Sequence, residues 1–227
     1  YSAKELDDVQ IPTFFPENSK IKSDFITNYK NIEKLDEQIG VIINQLKEDD
    51  LYDNTIIFFF SDHGGPFPRY KRSIYETGLR VPMIAKWIND TNRGNNYQLV
   101  SFVDFAPTVL DAADLKREFP FEGISFFKKD NRSYVYAASD RFDEATDIRR
   151  SIRDDKFKLI YNGDTSSPVY KSVKYRKQMQ TMQVLDSLEK NSELNNFFSN
   201  ACFKSFTASW IVNFVLKFNT SLIFLED

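Results

Sequence analysis

The stretch TIIFFFSDHGG, residues 55–65, decides the fold. The run Thr55–Phe60 is apolar without alternation, a pattern typical of a parallel strand covered on both faces. Upstream, apolar residues recur every three or four positions across residues 25–46, which predicts an amphipathic helix. We expect Ser23 or Asp24 to cap this helix. A helix that leads into a buried strand is half of an α/β unit, so the sequence predicts an α/β fold.

Further elements are predicted downstream of this unit. In chain order they are a buried strand at Val81–Trp87 that neighbours the first, a short helix capped by Asp104, a strand at Ser133–Ala138, a hairpin at Arg150–Tyr161 and a helix at Val173–Leu188. The hairpin is expected to turn at Asp154 and Asp155. The later elements therefore form a small antiparallel sheet with one packing helix.

The composition is that of a globular protein with no preference for nucleic acid. The chain has 227 residues, of which 41% are apolar, and its 30 basic and 33 acidic side chains give a net charge of −3. A nucleic-acid partner usually leaves a basic footprint on the chain, and none is visible in this balance of charges. The opening residues YSAKELDDVQ have no basic n-region or apolar h-region, so we expect any export signal to lie upstream.

The tail, residues 201–227, differs from the rest in composition. Residues 206–225 have the length of a membrane span but contain Lys217. A lysine at the centre of a span costs roughly 3 kcal/mol, which disfavours a membrane anchor. We expect either a packed helix or sequence from another reading frame, poorly packed and without a closing strand.

Asp62 and His63 are the first candidates for chemistry, because they directly follow the predicted strand. In open α/β sheets functional groups gather where strands end. A carboxylate beside an imidazole is a plausible half of a metal site. The alternative is a solvated loop in which Asp62 caps the strand, and these residues alone do not decide between the two.

Three cations follow within ten residues of this pair, namely Arg69, Lys71 and Arg72. Such a cluster suits an anionic substrate such as sulfate or phosphate. The alternative is a solvated basic loop.

Taken together, these segments resemble the sulfatase family, whose members are formylglycine-dependent and share the alkaline-phosphatase-like fold. The positions that match the family pattern are Asp62, His63, Gly64, Lys71, Tyr75, Glu76, Gly78, Arg80, Pro82, Asp104–Thr108 and Glu122–Ser125. The resemblance covers roughly residues 11–200. The segments at residues 62–69 and 140–144 look like the heparan N-sulfatase-like branch.

The resemblance implies a domain organisation. Residues 1–125 would be the C-terminal part of the sulfatase α/β domain, residues 126–200 a C-terminal α+β subdomain, and residues 201–227 an atypical tail. It also implies a periplasmic or extracellular location if the source is bacterial.

The resemblance further implies a role for each candidate residue. Asp62 and His63 would bind a divalent metal, usually calcium, and Lys71 would be catalytic by neutralising the sulfate. Arg69, Lys71 and Arg72 would contact the substrate, a sulfated glycan. We expect Asp62, His63 and Lys71 to converge within roughly 10 Å, the span that a sulfate and one metal would bridge.

The nucleophile of the family is missing from this chain. Sulfatases convert the Cys or Ser of C/S-x-P-x-R to formylglycine, and no such motif occurs here. The nearest string, Ser166–Tyr170, has tyrosine where arginine is required, and Cys202 lies outside any such motif. The resemblance therefore implies a formylglycine upstream and a chain that is inactive alone.

Two alternatives stay open. One is a metal-dependent phosphohydrolase or phosphoryl transferase of the same superfamily, but these enzymes usually carry further histidines and none follows His63. The other is an inactive remnant that binds a sulfated glycan through Arg69, Lys71 and Arg72.

Overall fold

The computed structural model describes residues 2–88, 94–127, 132–163, 173–191, 193 and, for the backbone alone, 221–226. Its α-helices are α1 (Ala3–Asp8), α2 (Ser19–Glu48), α3 (Glu76–Leu79), α4 (Phe105–Ala112) and α5 (Gln180–Lys190), and 3-10 turns lie at Phe102–Asp104 and Arg176–Gln178. Its strands are β1 (Ile57–Phe60), β2 (Met83–Lys86), β3 (Val135–Phe142), β4 (Ala145–Arg153), β5 (Phe157–Asn162) and β6 (Ser221–Glu226).

The chain forms two compact units. Unit 1 comprises Tyr1–Asn92, Arg141–Thr146 and Thr165–Cys202, and unit 2 comprises Arg93–Asp140, Asp147–Asp164 and Phe203–Asp227. Each unit is therefore assembled from separate parts of the chain. The division predicted at residues 125 and 200 stays a prediction.

Helix α2 begins more than one turn earlier than predicted. Its N-cap is Asn18, whose side chain accepts a hydrogen bond from the Lys20 N–H at 2.9 Å. The predicted cap at Ser23 or Asp24 is therefore wrong. Asp24 instead accepts hydrogen bonds from the backbone N–H and the hydroxyl of Thr181, both at 2.7 Å, which joins α2 to α5.

The core of unit 1 joins α2 and α5 to the loop that follows β1. Its buried members are Phe15, Ile21, Phe25, Phe67, Met182, Val184 and Leu185. The rings of Phe25 and Phe67 are stacked, with centroids 3.9 Å apart. This stack, which adds to the burial of both rings, anchors the loop that carries the candidate cations.

Strands β1 and β2 are neighbours, as predicted, but their arrangement differs from the prediction. They pair antiparallel, from Ile57 opposite Lys86 to Phe60 opposite Met83. The connection returns to the end of the pair at which it left β1, where the Ser61 N–H donates to the carbonyl of Pro82, so β2 runs back alongside β1. The predicted burial is also wrong, because Phe60 is 40% and Ile84 65% exposed.

The other sheet has the strand order β3-β4-β5-β6. Strands β4 and β5 form the predicted hairpin, and the carboxylate of Asp154 accepts hydrogen bonds from the N–H groups of Lys156 and Phe157 in its turn. Helix α5 begins at Gln180, later than the predicted Val173, because a 3-10 turn occupies part of the segment between them.

The end of the tail pairs with this sheet. Strand β6 runs antiparallel to β5 along all six of its residues. The prediction that the tail adds no closing strand is therefore wrong for Ser221–Glu226, because an edge strand offers backbone partners whatever the side-chain pattern. Residues 206–220 lie outside the described residues. Within the described part of the chain, no helix is long and apolar enough to cross a membrane.

Candidate active site and family

Residues 61–65, here called the DHG loop, follow β1 directly. The N–H of Ser61 donates to the carbonyl of Pro82 at 3.2 Å, and its hydroxyl donates to the carbonyl of His63 at 2.6 Å. These two bonds hold the loop between β1 and the entry to β2. The strand pair thus presents Asp62 and His63 at its end, as the sequence predicts.

The imidazole of His63 points one nitrogen at Asp62. Its Nδ1 lies 2.7 Å from the carbonyl oxygen of Gly64, and because a carbonyl only accepts, Nδ1 carries the hydrogen. Nε2 then faces Oδ1 of Asp62 at 3.4 Å. In the neutral ring both atoms are electron-pair donors, so the pair has the chemistry of two ligands of one cation.

Two glycines of the matched motif lock the DHG loop to α3. The N–H of Gly64 donates to the carbonyl of Gly78 at 3.1 Å. A Cβ on Gly64 would lie 2.0 Å from the Thr77 carbonyl oxygen, and one on Gly78 would lie 2.2 Å from that of Ser73. Only glycine allows this approach of two backbone segments.

Lys71 lies against the same loop. Its backbone N–H donates to the carbonyl of Gly65 at 2.9 Å. Its side chain is half-buried, and the ammonium makes no hydrogen bond or ion pair with the described residues. The structure thus brings the Lys71 backbone next to the DHG loop and leaves its charge available. Convergence of the three side-chain ends stays a prediction.

Arg69 and Arg72 differ from Lys71, because each already has contacts within unit 1. The Arg69 guanidinium lies between the rings of Phe14 and Tyr75, 4.6 Å from each centroid. Arg72 forms an ion pair with Asp143. Their predicted contact with substrate stays a prediction, whereas their observed contacts support the loop.

Arg176 is a residue that the sequence reasoning missed. Its side chain is 1% exposed, and its Nη2 donates to the backbone carbonyls of Lys71 at 2.7 Å and Phe67 at 3.3 Å. Burial lowers the pKa of this guanidinium from its usual range. Arg176 therefore braces the segment that carries Lys71. The sequence offered no signal for it, because the two sites are about a hundred residues apart.

Arg176→Met is expected to loosen this segment. The substitution keeps most of the volume but removes the charged donor, and each such hydrogen bond contributes about 2 kcal/mol. We expect faster hydrogen exchange at the Lys71 N–H, with little change at amides of the hairpin β4–β5. Unchanged exchange at Lys71 would show that Arg176 does not hold the segment.

The two other matched motifs also contact each other, within unit 2. The Asp104 carboxylate accepts hydrogen bonds from the N–H groups of Ser101 at 2.7 Å and Ile124 at 2.8 Å, and it pairs with Arg132. The Thr108 hydroxyl accepts from the Phe126 N–H at 3.1 Å. These motifs therefore stabilise the fold. Asp104 does precede α4, as predicted, but its side chain makes no capping bond.

No complete metal site is formed by the part of the chain that the structure describes, where no group of three or more His, Cys, Asp or Glu side chains could hold an ion. Asp62 and His63 could supply two ligands at most. A calcium ion takes 6–8 oxygen ligands and a zinc ion about four ligands, so further ligands would be required.

Two family models match the chain. One, described as Sulfatase, matches residues 7–115, and the other, described as N-sulphoglucosamine sulphohydrolase, C-terminal, matches residues 68–214. The second match alone covers more than half of the chain. The chain belongs to the sulfatase family. The predicted resemblance, including that to the N-sulfatase-like branch, is confirmed.

Individual sulfatases are similar to different lengths of the chain. The ulvan-active sulfatase of Formosa agariphila is 43% identical over 189 residues, which are 82% of this chain and 32% of that protein. The N-sulphoglucosamine sulphohydrolase of Homo sapiens is 27% identical over 106 residues, 46% of this chain and 21% of that protein. The chain thus spans about a third or less of these relatives.

A solved structure supports the fold. The chain is similar to yidJ from Bacteroides fragilis, described as a sulfatase, with a TM-score of 0.55 and 21% identity over 85% of this chain and 44% of that one. The predicted fold class is therefore confirmed as the C-terminal portion of an alkaline-phosphatase-like sulfatase domain with a small antiparallel sheet and a packing helix.

Proposed function

We propose that this chain is the part of a sulfatase that carries the sulfate-binding lysine and two metal ligands. In the complete protein it would hydrolyse sulfate esters or sulfamates of a sulfated glycan. The observation that carries the proposal is the placement of Lys71. Its backbone is hydrogen-bonded to the DHG loop while its ammonium is not engaged by described residues.

Asp62 and His63 would hold a divalent cation, which we propose to be calcium. The separation of their facing atoms, 3.4 Å, fits two ligands of one ion, because neighbouring ligands at right angles and about 2.4 Å from calcium lie roughly 3.4 Å apart. When bound, the cation would supply Lewis-acid polarisation of a sulfate oxygen. Imidazole is a better ligand for transition metals than for calcium, so His63 makes the metal's identity the first property to measure.

Lys71 would neutralise the sulfate and the negative charge that develops on the leaving oxygen. A positioned cation is most effective where that charge appears in the transition state. Arg69 and Arg72 would contribute indirectly, because their contacts with Tyr75 and Asp143 hold the segment on either side of Lys71.

The formylglycine nucleophile is proposed to lie in a segment that precedes this chain in the complete protein. Apolar side chains that are exposed on α2, β1 and β2 support such a segment, because it would cover them: Tyr29, Ile32, Leu35, Val41, Ile42, Phe60 and Ile84. Lone exposed apolar residues are common, but these recur along one helix and both strands of a sheet.

The substrate class follows from the relatives. One acts on ulvan by its name, and another is named for N-sulphoglucosamine. We propose a sulfated polysaccharide or an oligosaccharide derived from it. Since such polymers lie outside the cytoplasm, a periplasmic or extracellular location is proposed as well.

The test replaces the matching segment of the Formosa agariphila sulfatase by this chain and follows hydrolysis of an aryl sulfate. The chimera is expected to be active, and Lys71→Met to lower kcat/KM by about 100-fold or more. Lys34→Met, which removes an exposed lysine of α2, is the matched control and should leave the rate unchanged.

Several outcomes would contradict the proposal. Full activity of the Lys71→Met chimera would show that this lysine does not act in the site. Turnover by the 227-residue chain alone would show that no upstream nucleophile is needed. Hydrolysis of an aryl phosphate but no aryl sulfate would support the phosphohydrolase alternative. Glycan binding by a chimera without any turnover would support the inactive remnant.

A further inference from the structure

Unit 2 contains a cavity that has no part in the site described above. Its volume is about 400 Å³, and residues that line it include Tyr97, Gln98, Arg132, Tyr134 and Asp155. Small-molecule sites in proteins have volumes of about 300–1,000 Å³, so the cavity is large enough for a ligand. Three separate segments form it, and the third of these is the turn of the hairpin β4–β5.

The lining of the cavity combines aromatic planes with hydrogen-bonding groups. Tyr97 and Tyr134 are exposed and offer both a ring face and a hydroxyl. The Asp155 carboxylate makes no bond with described residues and can only accept hydrogen bonds, whereas the tyrosine hydroxyls can both donate and accept them. Rings that present C–H faces and hydroxyl edges, as sugars do, match this combination.

The charges of the cavity disfavour an anion. Among the described residues that line it, the one cation is Arg132, which is already neutralised by Asp104. The two carboxylates among these described residues belong to Asp154 and Asp155, and backbone hydrogen bonds from Phe157 and Lys156 lower the pKa of Asp154. A sulfate group would therefore be repelled by uncompensated negative charge. A neutral hydroxylated ring would not be repelled.

The walls of the cavity are held in place by bonds that do not involve a ligand. Asp104 is 1% exposed and fixes Arg132 through a carboxylate that two backbone N–H groups also bind. Asp154 is bound by its own turn. A cavity whose polar groups are fixed before binding loses less conformational entropy when a ligand enters.

We propose that this cavity binds a neutral, unsulfated sugar residue of the glycan. The inference rests on the proposed function for the presence of a glycan, but it concerns a different part of the chain. The protein would then have two sites, one for the sulfate group and a second that selects sugars without a sulfate group. Such a site would set which unsulfated residues of the polymer the protein accepts.

The test uses the full chain and measures binding by titration calorimetry. The probes are neutral trisaccharides of glucose, xylose, rhamnose and N-acetylglucosamine, each paired with its 6-O-sulfated form where position 6 carries a hydroxyl. We expect at least one neutral probe to bind, and its sulfated partner to bind about tenfold more weakly. Binding should be unchanged from about 50 mM to about 500 mM salt, because no ion pair is formed.

Two variants locate the binding. Tyr134→Ala and Asp155→Asn are each expected to weaken it by about tenfold. Tyr136→Ala is the matched control, since Tyr136 is a 71% exposed tyrosine of β3 outside the cavity lining, and it should bind as the wild type does.

Three results would overturn the inference: no neutral probe binds, sulfated probes bind more tightly, or the Tyr136 variant loses as much affinity as the cavity variants. None of these results depends on turnover. Failure of the cavity and failure of the Lys71 chimera can therefore be told apart.

Discussion

Asp104→Ala is expected to lower the free energy of unfolding by about 3–5 kcal/mol, the cost of removing one partner from a buried ion pair. The Asp104 carboxylate is buried and binds Arg132 and the N–H groups of Ser101 and Ile124. Alanine would leave the guanidinium, whose side chain is 14% exposed, without its counter-charge and two N–H groups without their acceptor. Urea unfolding monitored by circular dichroism measures the loss.

The pair Asp140 and Arg150 is the matched control for this prediction. It has the same chemistry, with an N···O distance of 2.6 Å, but both side chains are exposed. Asp140→Ala should therefore cost less than about 1 kcal/mol. Arg132→Met combined with Asp104→Ala should recover part of the loss, because no unpaired buried charge remains. Equal losses for Asp104→Ala and Asp140→Ala would show that burial does not decide the cost.

Gly78→Ala is expected to destabilise the protein by about 3 kcal/mol, at the upper end of the cost of overpacking. The new Cβ would lie 2.2 Å from the carbonyl oxygen of Ser73 and 2.4 Å from that of Tyr70. Both are backbone atoms, so neither can move aside as a side chain would. We also expect the DHG loop to lose order, because Gly78 accepts the hydrogen bond from the Gly64 N–H.

The control for this prediction is the same substitution at a different glycine. Gly40 lies inside α2, and a Cβ there meets nothing within 4 Å. Gly40→Ala should therefore raise the stability by up to about 1 kcal/mol, the difference in helix propensity. The two variants are expected to shift the unfolding midpoint in opposite directions, and shifts of the same sign would contradict the steric explanation.

Local patterns accounted for much of what was predicted correctly. The helix α2, the hairpin turn at Asp154 and the position of the DHG loop after a strand each depend on a few neighbouring residues. Periodicity and turn chemistry act over one or two turns of chain, so they can be read without the fold. The cap of α2 was missed because Asn18 precedes the apolar pattern by more than a turn.

The state of the three cations could not be predicted in this way. Arg69, Lys71 and Arg72 are equivalent in the sequence pattern. Of their three charged groups, only that of Lys71 makes no hydrogen bond, ion pair or ring contact with described residues. The difference comes from two distant residues. Asp143 pairs with Arg72 from some seventy positions later in the chain, and Phe14 contacts Arg69 from far earlier in the chain. No spacing rule connects residues at such separations.

The sequence by itself determined the family, the α/β class and the loop that carries Asp62 and His63, because spaced motifs and local periodicity persist whatever the chain packs against. Only the tertiary structure decided the antiparallel pairing of β1 with β2, the bracing of Lys71 by Arg176 and the pairing of Asp104 with Arg132. These depend on which distant segments meet when the chain buries its apolar surface. That choice is made by the sum of many weak contacts and not by any one stretch of residues.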